Sequence, residues 1–102
     1  MEVRPSYSGL FAGIGGKAMM IFPSINMVKT GQNIKCMRQK AGLSVKELQE
    51  LFGFATPQAI YKWQQGTAIP TIDNLVVLAT IFHVHVDDIL VIDLDSEMQE
   101  IA

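Results

Sequence analysis

Cysteine is nearly absent from this chain of 102 residues, where Cys36 stands alone. No intrachain disulfide can form, so the fold must rest on its core. Cys36 and the two histidines, His83 and His85, do not make a metal-ligand spacing, and no third ligand accompanies the histidine pair. No metal and no cofactor are expected. A lone thiol suits a reducing compartment, here the cytoplasm. Long apolar runs are missing as well. The stretch Ala18 to Phe22 is bracketed by Lys17 and Pro23 and falls far short of the ~20 residues a membrane helix needs. A secretory signal fits poorly, because Arg4 is the sole cation ahead of a glycine-interrupted apolar part. Enzyme signatures are also lacking: there is no phosphate-binding glycine loop and no nucleophile elbow. Asp87 and Asp88 read as helix-start carboxylates rather than a catalytic dyad. The expectation is a protein that is not an enzyme.

Cations, finally, are absent from the last thirty positions. From Asp73 onward there are seven carboxylates and no Lys or Arg. Between positions 29 and 72 the balance reverses, with Lys29, Lys35, Arg38, Lys40, Lys46 and Lys62 against Glu47 and Glu50. The net charge of −2 therefore hides a basic middle and an acidic end. Such a chain can meet phosphates with one face and repel them with another. Hydrophobic residues make up 49%, enough for the core of one small domain.

Residues 1–28 follow no helical or strand period, since Pro5, Gly9, Gly13, Gly15, Gly16 and Pro23 interrupt them. The expectation is a poorly ordered arm with a short helical piece near positions 18–22. An alternative is that this stretch is not native coding sequence. Gly15-Gly16-Lys17 requires purine-rich codons just before Met19-Met20, as a ribosome-binding site translated in frame would.

Positions 29–92 read as five short helices. Thr30 is placed to cap the first, which carries Ile34, Met37 and Ala41 on one face and stops at Gly42. Ser44-Val45-Lys46-Glu47 is a capping box. It opens a second helix with Val45, Leu48, Leu51 and Phe52 inward and Gly53 at its end. Thr56 is the expected cap of the third helix and Pro57 its first residue. Ile60 and Trp63 face inward there, and Gly66 stops it. Trp63 reads as core rather than as a stacking platform for a base. The fourth helix starts at Pro70-Thr71 and carries Ile72, Leu75, Leu78, Ala79 and Phe82. A fifth, near 86–90, follows His85. The β-branched run from Val84 to Ile92 could mimic a strand, but Asp87-Asp88 breaks its alternation. Positions 93–102 form an acidic tail. The fold class expected is all-α, a compact five-helix domain behind an N-terminal arm.

The segment from Ile34 to Val91 resembles the lambda repressor and Cro-like family, often called the XRE family. The resemblance is carried by IKCMRQKAGLSVKELQELFGF, then PQAIYKWQQGTAIPTIDNLVVLATIF, then VDDIL. It covers well over half of the chain, and the order and spacing of the pieces are specific. It implies a helix-turn-helix made by the second and third helices, with the third in the major groove of duplex DNA. The residues it nominates for DNA are Gln58 and Tyr61 for bases, Lys62 for a phosphate or a guanine edge, and Gln65 and Thr67 near the backbone. Gln can bond adenine in a bidentate way, and the Ala59 methyl can meet a thymine methyl. The amide-rich starts of helices two and four can take phosphates, and Ser44 and Thr56 complete the nominated set.

Four departures stand out. Gly53 to Trp63 is one residue longer than the commonest family spacing. Val45 replaces a frequent phosphate-clamping Gln. Gln64 replaces a frequent Glu that pairs with the position of Arg38, so either the pair is at most a neutral-acceptor hydrogen bond or Arg38 is free to meet a phosphate. Ala59 replaces a position that is often polar. The implied function is a small transcriptional repressor acting as a dimer, with helix five, the Ile89–Leu94 run and the tail as the dimer surface. The rival reading is an antitoxin-like or bridging protein-interaction module with weak DNA binding, whose acidic tail or apolar arm docks a protein partner.

Overall fold

The computed structural model describes residues 11–14, 17–20, 22–95 and 100–101. Contacts divide the chain into Ile25–Val91 and a second unit, Met1–Ser24 with Ile92–Ala102. The larger unit holds five helices: α1 (Met27–Lys40), α2 (Val45–Phe52), α3 (Gln58–Gln65), α4 (Ile72–Phe82) and α5 (Val86–Ile89). The all-α, five-helix expectation holds.

Each helix sends at least one residue into a single core. Ile34 comes from α1, Leu48 from α2, Ile60 and Trp63 from α3, Leu75, Leu78 and Ala79 from α4, and Ile89 from α5. Full burial of such aliphatic side chains contributes about 1.5–3 kcal/mol each. Phe52, Phe54 and Trp63 form an aromatic cluster beside it. Phe52 and Phe54 stack at 4.9 Å, and both meet Trp63 edge-on, at 5.5 and 5.9 Å. Such ring pairs add about 0.5–1.5 kcal/mol beyond their burial.

Helix starts differ from the expectation in two places. α1 begins at Met27, capped by Asn26, whose Oδ1 accepts the Lys29 N–H at 2.9 Å. Thr30 lies one turn inside, is 1% exposed, and accepts the Val91 N–H on its hydroxyl at 2.9 Å. Val91 O in turn accepts the Asn26 N–H at 2.8 Å. Asn33 Nδ2 reaches the carbonyls of Asp88 and Ile89 at 2.7 and 3.0 Å. The start of α1 is thus tied to the end of α5, and Thr30 serves that tie instead of a cap. α3 has Pro57 at its cap position and no side-chain cap, so Thr56 does not play that role. The fixed φ of proline already turns the chain into the helix one residue later than expected.

Three side chains expected inside lie outside. Ala41 ends α1 in an exposed position. Leu51 is 58% exposed. Val45 and Phe52 lie about 40–60° to one side of Leu48 on the wheel, and Leu51 lies about 60° to the other. The core meets the first side. Ile72, in the first turn of α4, is 81% exposed. Elsewhere the local signals hold. Ser44 Oγ accepts the Glu47 N–H at 3.0 Å and Glu47 Oε1 accepts the Ser44 N–H at 3.2 Å, completing the capping box. Gly42, Gly53 and Gly66 take left-handed conformations, as helix ends require. The α5 stretch is helical despite its β-branched residues, with Asp88 Oδ2 accepting the His85 N–H at 2.9 Å.

In the smaller unit, β1 (Phe11–Ile14) pairs antiparallel with β2 (Lys17–Met20), and β2 with β5 (Glu100–Ile101). β3 (Phe22–Ile25) and β4 (Ile92–Asp95) form a separate two-stranded sheet. The helical piece expected near 18–22 is replaced by strand. Two residues, Gly15 and Gly16, separate the paired Ile14 and Lys17. A two-residue glycine link between apolar stretches is a hairpin signal, and it outweighs weak helix propensity. The expectation of a poorly ordered arm falls in part on residues 1–10, which lie outside the described residues.

Candidate nucleic-acid interface

α3 is anchored on one side and open on the other. Ile60 is fully buried and Trp63 is 4% exposed. Gln58, Tyr61, Lys62 and Gln65 are all exposed. At 3.6 residues per turn these four fall within an arc of about 100°, opposite Ile60 and Trp63. Four of the eight nominated residues therefore share one helix face. Ala59 sits at its margin, half-buried and packed against the core. Its methyl is less available than the four polar side chains.

The supporting contacts explain how that face is held. Arg38 Nε donates to Gln64 Oε1 at 2.9 Å, and its Nη1 donates to Leu43 O at 2.7 Å. The neutral-acceptor bond expected from Gln64 is therefore present, and it ties α1 to α3. α3 ends as α2 does. Gly66 N–H meets Trp63 O at 3.1 Å, and Thr67 N–H meets Lys62 O at 3.0 Å. The Thr67 hydroxyl also donates to Lys62 O at 3.2 Å. Thr67 would have to release that bond to donate to a phosphate.

The helix starts nominated for phosphates are not empty of charge. At α2, the Ser44 and Glu47 amides are satisfied within the capping box, and the Glu47 carboxylate sits beside them. The Ser44 hydroxyl proton stays available, and Lys46 is exposed in the same turn. Lys46 was not in the sequence-derived set, although its place inside SVKE was the signal for it. Thr56 is exposed in the bend before α3. At the start of α4, the Thr71 hydroxyl donates to the Asp73 carboxylate.

That bond, chiefly, holds the Asp73 carboxyl below the usual carboxylate range. Lost hydration opposes it, and the Asn74 and Asp73 amides assist. A depressed carboxyl stabilises the fold above its ordinary pKa, and that contribution is lost as pH falls through the lowered value. An NMR titration of Asp73 should therefore give a midpoint below that of a free aspartate, and Thr71→Val should raise it. An unmoved midpoint in the variant would remove Thr71 as the cause.

Other chemistry is sparse. Among the described residues no cluster of three or more His, Cys, Asp or Glu could hold a metal ion. No helix among them is long and apolar enough to cross a membrane. Cys36 is an exposed free thiol on α1.

Solved structures share this arrangement. The restriction-modification controller protein C.AhdI from Aeromonas hydrophila matches with a TM-score of 0.56 at 25% identity, over 63% of this chain and 96% of that one. The BldD DNA-binding domain from S. venezulae matches with a TM-score of 0.55 at 21% identity, over 64% of this chain and 96% of that one. A crystal structure of the same BldD domain gives 0.55 at 21%, over 64% and 93%. The BldD likeness speaks for the fold alone. No curated protein matches the chain. The helix-turn-helix family model matches residues 34–89, just over half of the sequence, and spans the core from Ile34 to Ile89. With α2 and α3 forming the motif and α3 presenting a polar face, the chain belongs to the XRE-type helix-turn-helix family of DNA-binding transcription regulators.

Proposed function

We propose that this protein is a sequence-specific repressor that binds duplex DNA as a dimer and reads the major groove with α3. The observation that carries the reading is the exposed arc of Gln58, Tyr61, Lys62 and Gln65 opposite buried Ile60 and Trp63. Gln58 reads an adenine edge, with Tyr61 beside it and the Ala59 methyl against a thymine. Lys62 takes a phosphate or a guanine edge. Gln65, Thr67, Thr56 and Ser44, joined by Lys46, hold the backbone and set the register. The likeness to a controller protein supports the same reading. A single cysteine, Cys36, suits the cytoplasm.

One domain makes few contacts, so tight binding calls for two copies on a palindromic site, with recognition helices about 34 Å apart. The exposed apolar side of α4, formed by Ile72, Val76 and Val77, supports a dimer surface there. Of the run first expected to supply it, Ile89 is fully buried in the core, and Ile92 and Leu94 are exposed.

Selection from random duplex DNA tests the reading. Wild type should enrich a two-fold site. Gln58→Ala should relax preference at one position by about 1–3 kcal/mol, and Lys62→Ala should weaken all sites alike if it meets only phosphate. The logarithm of the binding constant should fall with the logarithm of salt by about 0.9 per phosphate contact. Copurification of a stoichiometric protein partner, with no shift of any duplex, would replace this reading with the antitoxin-like one.

A further inference from the structure

We propose that Gln49 is a positioning residue: it locks the lengthened turn at Phe54 and so sets the angle at which α3 meets DNA. The inference rests on the DNA-reading role of α3 proposed above.

α2 closes with two backbone bonds. Gly53 N–H meets Glu50 O at 3.0 Å and Phe54 N–H meets Gln49 O at 3.1 Å, with Gly53 left-handed. That arrangement needs no particular side chain at position 49. Gln49 nevertheless adds a third bond, its Nε2 donating to Phe54 O at 3.1 Å. Both polar backbone groups of Phe54 are thereby held by one residue, and the side-chain bond is half-buried.

The next three residues are held by little. Positions 55–57 form a bend, and α3 starts without a side-chain cap. Pro57 has no N–H to give. Among the described residues, neither Ala55 nor Thr56 makes a hydrogen bond. Along the chain from α2, direction therefore passes to α3 through Phe54, whose ring stacks on Phe52 and meets Trp63 edge-on. Trp63 lies on the buried side of α3, behind Tyr61, Lys62 and Gln65. A turn one residue longer than usual has more ways to close, and the Gln49 amide selects one. It touches no base and no phosphate in this scheme.

The test uses the full chain with two variants. Gln49→Met keeps the length and loses the donor, whereas Gln49→Lys keeps a donor. Two quantities are measured: the ratio of affinities for the selected and a scrambled duplex, and the α2–α3 angle of the free protein from NMR residual dipolar couplings. In Gln49→Met the ratio should fall about tenfold, with scrambled-duplex affinity within about twofold of wild type and a changed angle. Gln49→Lys should restore both the ratio and the angle. A Met variant with unchanged ratio and unchanged angle overturns the proposal. If wild type prefers no duplex at all, the DNA reading fails, and the angle alone then decides whether Gln49 positions α3.

Discussion

Gly31→Ala is expected to destabilise the protein by about 3 kcal/mol and to lower the thermal midpoint by roughly 15 °C. Two effects oppose each other. Gly31 lies within α1, where alanine is favoured over glycine by about 1 kcal/mol. A Cβ at that position, however, would lie 2.2 Å from Trp63 O and 2.7 Å from Gln64 O. Both are backbone oxygens of α3, so no side-chain rotation relieves the clash. α3 must retreat from α1, which loosens Ile34 and Ile60 and strains the Arg38–Gln64 bond. The steric term wins. Gly42→Ala is the control. Nothing lies within 4 Å there, but φ is +73°, so only about 1–2 kcal/mol of backbone strain is expected. Thermal denaturation followed by circular dichroism distinguishes the two. A Gly31→Ala protein as stable as wild type would contradict the close α1–α3 approach.

The second large effect concerns assembly. Ile72→Asp combined with Val76→Asp should leave the fold intact, because both side chains are exposed and one helical turn apart on α4. The same pair should leave a monomer in solution. Affinity for a two-half-site duplex should then fall by about 10²–10⁴, because the second half-site no longer gains from linkage. Affinity for a single half-site should not change. Light scattering on the eluting peak and titration of both duplexes measure these outcomes. A double variant that remains dimeric with full affinity would move the dimer surface off α4.

Local chemistry was legible before any fold was known. Ser44 and Glu47 find each other three residues apart because the geometry of a helix start brings them together whatever surrounds it. Gly53 and Gly66 mark helix ends because left-handed backbone strains other residues. Ile60 and Trp63 turn inward because they are the large apolar pair at helical spacing in α3, with Ala59 at their margin. The exposed arc of Gln58, Tyr61, Lys62 and Gln65 follows from them by helical geometry alone.

What was not legible depended on partners distant in sequence. Thr30 and Asn26 are both good caps. The choice between them was made by Val91, 61 positions after Thr30, which needed the Thr30 hydroxyl. Leu51 and Ile72 carry apolar side chains at plausible inward spacings, and only the placement of neighbouring helices leaves them outside. In the β1–β2 hairpin, the Gly15-Gly16 link was available as a signal but was masked by the surrounding glycines and proline.

For the α3 surface, the sequence by itself determined which side chains face outward, since a helix of eight residues with two anchors has one free side. Tertiary structure decided how that surface is held. Arg38 bridges from α1, Phe54 packs between Phe52 and Trp63, and Gln49 fastens Phe54 at both of its peptide groups. The physical reason is one of range. Periodicity and capping act within one or two turns of chain, whereas the direction of α3 depends on contacts between helices whose positions no local pattern encodes.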